Sequence, residues 1–200
     1  MFVRSQTESR GVTEALAYKD ENRLQRDHQQ LADQRVLSWQ KPARGSYQVN
    51  WDAALKVETG KMGLGVIVRD HQGYVIEALR ARRPLAGKAF EAEAYGLVVT
   101  ATFCKELGLN QIHIEGDSKR VINLMHGMEK NWSMGGLLVE DAKNILSSIG
   151  NWKATHVYLE GNKAVHKIAK STLNLDEDVY DIEECPLCIQ SNVIAELFSA

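Results

Sequence analysis

Tyr47-Gln-Val-Asn-Trp-Asp52 decides the reading of the chain. Tyr47, Val49 and Trp51 alternate with Gln48, Asn50 and Asp52, the two-residue period of a strand with one apolar face. Asn50 and Asp52 therefore share the opposite face. A carboxylate inside an apolar strand is costly unless something compensates it. That cost makes Asp52 the first residue to explain.

Outward from this strand the pattern stays regular. Met62–Asp70 reads as a second strand, with Leu64, Val66 and Val68 on one side. His71-Gln-Gly73 is a tight turn, and Tyr74–Arg83 is a third strand, completing an antiparallel meander. Ala94, Leu97, Val98, Ala101, Cys104 and Leu107 then repeat at helical spacing, with Gly108 as the stop. Gln111–Glu115 is a fourth strand, ending at Gly116-Asp117, and Ser118 opens a short helix to about Met125. Leu138, Ala142, Ile145 and Ile149 mark a further helix closed by Gly150. Trp152–Leu159 is a fifth strand, and Val165, Ile168 and Ala169 stripe a last helix. The order is βββαβααβα. A strand–helix–strand crossover predicts parallel pairing of the first and fourth strands under covering helices.

Composition sets the bounds. Of 200 residues, 44% are hydrophobic and 25% charged, with a formal net charge of −2, an ordinary globular balance. This balance argues against a strong non-specific grip on phosphates. The sequence opens MFVRSQTESR, with no apolar signal core, and its longest uncharged apolar run, Tyr95–Cys104, is too short for a bilayer. A soluble, intracellular protein with no membrane partner is expected, and three cysteines suit a reducing compartment. Residues 1–38 are expected to form a polar N-terminal arm, helical or disordered. Residues 39–174 form the domain, and 175–200 a C-terminal tail.

Three carboxylates draw attention together. Asp52 lies in the first strand, Glu93 in the first turn of the long helix, and Asp117 at the end of the fourth strand. Neighbouring first and fourth strands let them converge at one end of the sheet, where a divalent cation relieves their repulsion. Each alone has a plainer reading: Asp117 as a helix N-cap, Glu93 as a dipole partner, Asp52 as a paired strand residue.

The ordered series VNWDAA, GLGVIVRDHQG, AEAYGL, IEGDSKRVINLM and HVYLEGNKAVHKIAK, preceded by Trp39, Pro42 and Gly45, resembles the plant RNase H-like domains derived from non-LTR retrotransposon reverse transcriptases. The resemblance runs from about Trp39 to the C-terminus. It implies an α/β, RNase H-like fold with a mixed five-stranded sheet of order 3-2-1-4-5 and helices on both faces. It implies Mg²⁺-dependent (or Mn²⁺-dependent) two-metal hydrolysis of the RNA strand of an RNA–DNA hybrid. By position, Asp52, Glu93 and Asp117 stand at the family's catalytic, metal-binding carboxylates. His166 occupies the place of a fourth carboxylate, as a catalytic and metal-ligating candidate. Asp52 would bridge the ions, and Glu93 with nearby backbone would meet the 2′-OH that marks RNA.

The chain departs from the family at Ala53, where glycine is common, at Leu159, where arginine is usual, and at His166. Imidazole is a poor ligand for Mg²⁺ and a better one for Mn²⁺. With the acidic net charge, these departures support a competing reading: a catalytically weak or inactive RNase H-fold module that binds nucleic acid or protein.

Four further features are secondary. His156, six residues before Asn162, stands where a histidine assists proton transfer in bacterial-type RNases H. Arg80, Arg82 and Arg83 are the one dense basic cluster, able to touch phosphates or to guard a strand against aggregation. Cys185-Pro-Leu-Cys188 lacks two further zinc ligands nearby, so two ordinary thiols in a tail is the plainer reading. The tryptophans 39, 51, 132 and 152 are expected in the core or a lid.

Overall fold

The structure, a computed structural model, describes residues 39–85 and 87–199. The expected polar arm lies outside the described residues. The meander forms as its alternation predicts: β1 (Tyr47–Lys56) pairs antiparallel with β2 (Lys61–Arg69), and β2 with β3 (Val75–Pro84). The turn between β2 and β3 is built by Asp70, whose Oδ1 accepts from the backbone N–H of Gln72 and Tyr74 at 2.9 Å each. Gly73 completes it at φ +92°. On its other side β1 pairs parallel with β4 (Gln111–Gly116), and β4 with β5 (Asn151–His156). β5 ends at His156, three residues before the expected Leu159, and a 3₁₀ turn follows at Leu159–Gly161.

Helices cover both faces. α1 (Ala89–Glu106), α2 (Lys119–His126) and α3 (Met134–Ser147) lie over one face. Val49, Trp51, Leu64, Val66, Leu97, Ala101 and Ile114 fill the larger core there. α4 (Lys163–Thr172) lies on the other, where Ile67 and Ala78 meet Val165 and Ile168 in a second core. β2 presents Gly63 and Gly65 to α4. A Cβ on Gly63 would fall 2.2 Å from the Ala169 carbonyl oxygen, and one on Gly65 2.8 Å from that of Val165. Helix and sheet approach this closely only because these positions lack a side chain. Trp39, Trp51 and Trp152 are core or partly buried, whereas Trp132 is 75% exposed with Lys130 Nζ 5.7 Å from its ring centroid.

The sheet has six strands, not five, in the order β5-β4-β1-β2-β3-β6. The expected order 3-2-1-4-5 is preserved, and the extra strand β6 (Val179–Ile182) adds antiparallel to the β3 edge. The stretch expected to be a tail thus contains β6 and α5 (Gln190–Ser199). Electrostatics fasten it. Arg80 donates from Nε and Nη2 to Asp181 at 2.8 and 3.0 Å, and Arg83 donates to both oxygens of Asp178 at 2.6 Å. Arg82 reaches Asp176 at 3.5 Å. The basic cluster is therefore taken up within the chain. Farther on, Ile189 and Val193 enter the second core. Glu196 pairs at 2.8 Å with the buried Arg69, whose guanidinium lies 4.3 Å from the Trp39 ring centroid.

Candidate metal centre

Alternation along β1 sends Val49 and Trp51 into the larger core and leaves Asn50 and Asp52 on the face carrying α4. Asp52 is 3% exposed. Part of its desolvation cost is offset by the His166 imidazole on α4, whose Nδ1–H donates to Asp52 Oδ2 at 2.7 Å.

Glu93 arrives from α1. The helix begins at Ala89, where the backbone N–H of Lys88 donates to Glu91 at 2.9 Å. Glu91 is thus the first-turn acid, and Glu93 opens the second turn rather than lying in the first. The dipole role considered for Glu93 falls to Glu91 instead. The Glu93 carboxylate accepts from the Ala53 backbone N–H, while its Oε2 is buried with no hydrogen-bond partner. Burial pushes its pKa well above the usual carboxylate range, and the charges of Asp52 and Asp117 push it further.

Asp117 follows β4 directly. The N-cap residue of α2 is Ser118, so the plainer reading of Asp117 as that cap is not what the helix shows. Gly116 before it packs on Trp51, whose ring would lie 2.5 Å from a Cβ there. Burial and Asp52 raise the Asp117 carboxyl, opposed by His166 and His156. The His156 Nε2–H donates to the Asp117 carbonyl at 3.1 Å. His156 ends β5 beside Asp117, a proximity its position in the sequence shows only through strand order.

Three carboxylates from β1, α1 and the end of β4 thus converge, each offering an oxygen within 4.8 Å of the others. Two have raised pKa values and one holds an orphaned buried oxygen. An all-oxygen, negatively charged set of this kind fits a hard divalent cation. His166 is not a member of that set; it meets Asp52 from the side, 30% exposed.

Beneath the site runs a polar network that the sequence reading did not find. Asn162, at the start of α4, donates from Nδ2 to the Trp51 carbonyl at 3.0 Å and accepts from Asn50 Nδ2 at 3.3 Å. Asn50 also donates to Glu115 at 3.2 Å, and Gln48 donates to the same carboxylate. The peptide preceding Asp52 is thereby tied to the helix that carries His166.

A family model described as reverse transcriptase-like matches residues 50–172, which include all three carboxylates and His166. The chain belongs to the reverse transcriptase-like family. Solved structures share its RNase H-like fold. RNase H1 from the halophilic archaeon Halobacterium salinarum NRC-1 is 19% identical, with a TM-score of 0.60, over 65% of this chain and 98% of that one. The N-terminal RNase H domain of a Mycobacterium tuberculosis protein, solved fused to maltose-binding protein, is 21% identical, with a TM-score of 0.58, over 64% and 94%. LC11-RNase H1 in complex with an RNA/DNA hybrid is 16% identical, with a TM-score of 0.57, over 64% and 96%. No curated protein matches the chain. Among the described residues of this reverse transcriptase-like chain, no helix is long and apolar enough to cross a membrane.

Proposed function

We propose that this chain hydrolyses the RNA strand of RNA–DNA hybrids, using Mg²⁺ or Mn²⁺ held by Asp52, Glu93 and Asp117. One observation carries the reading: three carboxylates from separate elements stand within 4.8 Å of one another on an RNase H-like fold. The hybrid bound in one structural relative supports the choice of substrate.

When bound, a pair of divalent cations supplies an activated water and counter-charge for the departing 3′ oxygen. Asp52, oriented by the His166 hydrogen bond, would be the central carboxylate holding the cations. Glu93 and Asp117 would hold them beside Asp52. Glu93 and the Ala53 peptide beside it face the 2′-OH that distinguishes RNA from DNA. His166 contributes at the fourth position, through Asp52 or as a ligand. His156, beside the Asp117 carbonyl, is a secondary candidate for proton transfer, ranked below the carboxylates. The activity belongs to residues 39–174 of a soluble, intracellular protein, with the arm at 1–38 outside it.

The test is cleavage of end-labelled RNA–DNA hybrid by the purified chain with Mg²⁺ or Mn²⁺, beside duplex DNA and duplex RNA of the same sequence. Cutting confined to the RNA strand of the hybrid is expected. Metal-independent cutting, or none with either ion, contradicts the proposal. Hybrid binding without cutting would favour the competing binding module, to which Ala53, Leu159 and His166 point.

A further inference from the structure

Cys185 and Cys188, which the carboxylate chemistry does not use, lie on the wall of one cavity of about 870 Å³, with Arg80, Ser171, Asp181 and Gln190. Both cysteines are free and half-buried, on the wall of a cavity that a small reagent can enter. The backbone presents them together. Glu183 turns the chain out of β6 at φ 55°, and a 3₁₀ turn follows at Leu187–Ile189. It is closed by the Ile189 N–H donating to the Pro186 carbonyl at 2.9 Å. The Gln190 side chain donates to the Cys185 carbonyl at 3.3 Å. Cys185 lies just before this turn and Cys188 within it, and both line the same cavity wall. Both side chains also pack against the second core.

A structural zinc ion requires four donors. Among the described residues, the only cluster of three or more metal-capable side chains is Asp52, Glu93 and Asp117, so no third ligand joins this cysteine pair. Two adjacent, reachable thiols without further ligands suit redox chemistry instead. Cys104 is the internal contrast: burial pushes its thiol up to about 12 and seals it in the core.

We propose that Cys185 and Cys188 form a reversible dithiol–disulfide modification site, oxidised by exchange with a small-molecule disulfide and reduced by the matching thiol. One cysteine thiolate attacks a sulfur of the small disulfide, making a mixed disulfide and releasing one small thiol. The other cysteine's thiolate attacks the protein sulfur of that bond, forming Cys185–Cys188 and releasing the second small thiol. Two protein thiols are oxidised, one disulfide is reduced to two thiols, and the two protons pass to the departing thiolates.

Burial raises the Cys185 thiol, with Arg69 opposing, so exchange quickens as pH rises. Glu183 and Glu184 line the cavity, which favours a cationic disulfide over an anionic one. Both cysteines pack against the second core beside Ile189 and Val193. A bond between them fixes the turn leading into α5, whose Glu196 pairs with Arg69. The oxidised chain holds its C-terminal segment more firmly.

The full chain is equilibrated in cystamine–cysteamine mixtures of graded ratio, quenched by alkylation and mapped by mass spectrometry. An internal Cys185–Cys188 disulfide is expected, reversed by excess cysteamine, with Cys104 unmodified. Amide exchange across residues 187–199 should be slower in the oxidised form. Cys185→Ser should instead carry a cysteamine adduct on Cys188. Adducts on both cysteines at every ratio with no internal bond, two free thiols in excess oxidant, or unchanged amide exchange each overturn the proposal. The parent protein gives these readings directly, whether or not the variant folds.

Discussion

Nδ1 of His166 lies 2.7 Å from Oδ2 of Asp52, joining α4 to β1 beside the carboxylate cluster. A side chain at a ligand's shoulder either orients that ligand or joins it on the metal. Mn²⁺ accepts imidazole nitrogen more readily than Mg²⁺ does. His166→Asp should therefore move the preference of hybrid cleavage toward Mg²⁺. A titration of rate against each ion checks it. Identical profiles in parent and variant would show that His166 is no ligand and acts only on Asp52.

Glu93 carries an electrostatic penalty in the metal-free fold. Its carboxyl is raised above 4.5 by burial and then by Asp52 and Asp117. A raised carboxyl pKa means that the folded chain keeps a proton where the unfolded chain has lost it. Stability is therefore undiminished below the ordinary carboxylate range, and falls as pH rises from there up to the folded value. Glu93→Gln should remove this penalty and raise metal-free stability by about 1–2 kcal/mol at neutral pH, with no gain in acid. Added Mg²⁺ should reverse the order, stabilising the parent and not the variant. Denaturant melts at two pH values read both effects. Equal metal-free stabilities at neutral pH would contradict the account.

How far the sequence disclosed this site depends on the element. Asp52 was legible because Val49 and Trp51 alternate with Asn50 and Asp52. The βαβ crossover then placed Asp117 beside it. Glu93 was found, but its turn was misjudged, because α1 starts through the Glu91–Lys88 backbone contact rather than at a conventional cap residue. β6 was missed. Val179–Ile182 is four residues long, and its acidic surroundings make sense only beside arginines about a hundred positions earlier. The Asn50–Asn162–Glu115 network was illegible for the same reason, since its partners meet only when β1, β4 and the start of α4 are assembled.

The arginines of β3 fasten the C-terminal segment. Arg80 and Arg83 are each bidentate to an aspartate of the C-terminal segment. Arg80→Ala should cost on the order of 1 kcal/mol of stability, a part-buried bidentate pair being worth more than an exposed one. The salt dependence of hybrid binding should stay as in the parent. A weaker salt slope in the variant would mean that Arg80 contacts phosphate.

Gly63 sets the distance between α4 and β2. A Cβ there would lie 2.2 Å from the Ala169 carbonyl oxygen, which is backbone and cannot rotate away. Gly63→Ala should destabilise the chain by roughly 2–3 kcal/mol, as overpacking does. It should also loosen α4, and with it the His166 contact to Asp52. Thermal unfolding checks the first effect, and a loss near zero would show that α4 shifts freely.

The central claim is that Asp52, Glu93 and Asp117 hold divalent cations that cut RNA in a hybrid. Its most direct test is the rate of Mg²⁺- or Mn²⁺-dependent hybrid cleavage by the parent and by Asp52→Asn, each first shown to be folded by circular dichroism. A neutral amide lacks the charge to hold divalent cations, so the account predicts cleavage by the parent and a loss of about a hundred- to a thousandfold in the variant, the scale expected when an electrostatic group of a reaction is removed. A folded Asp52→Asn protein that cuts the hybrid as fast as the parent would contradict it.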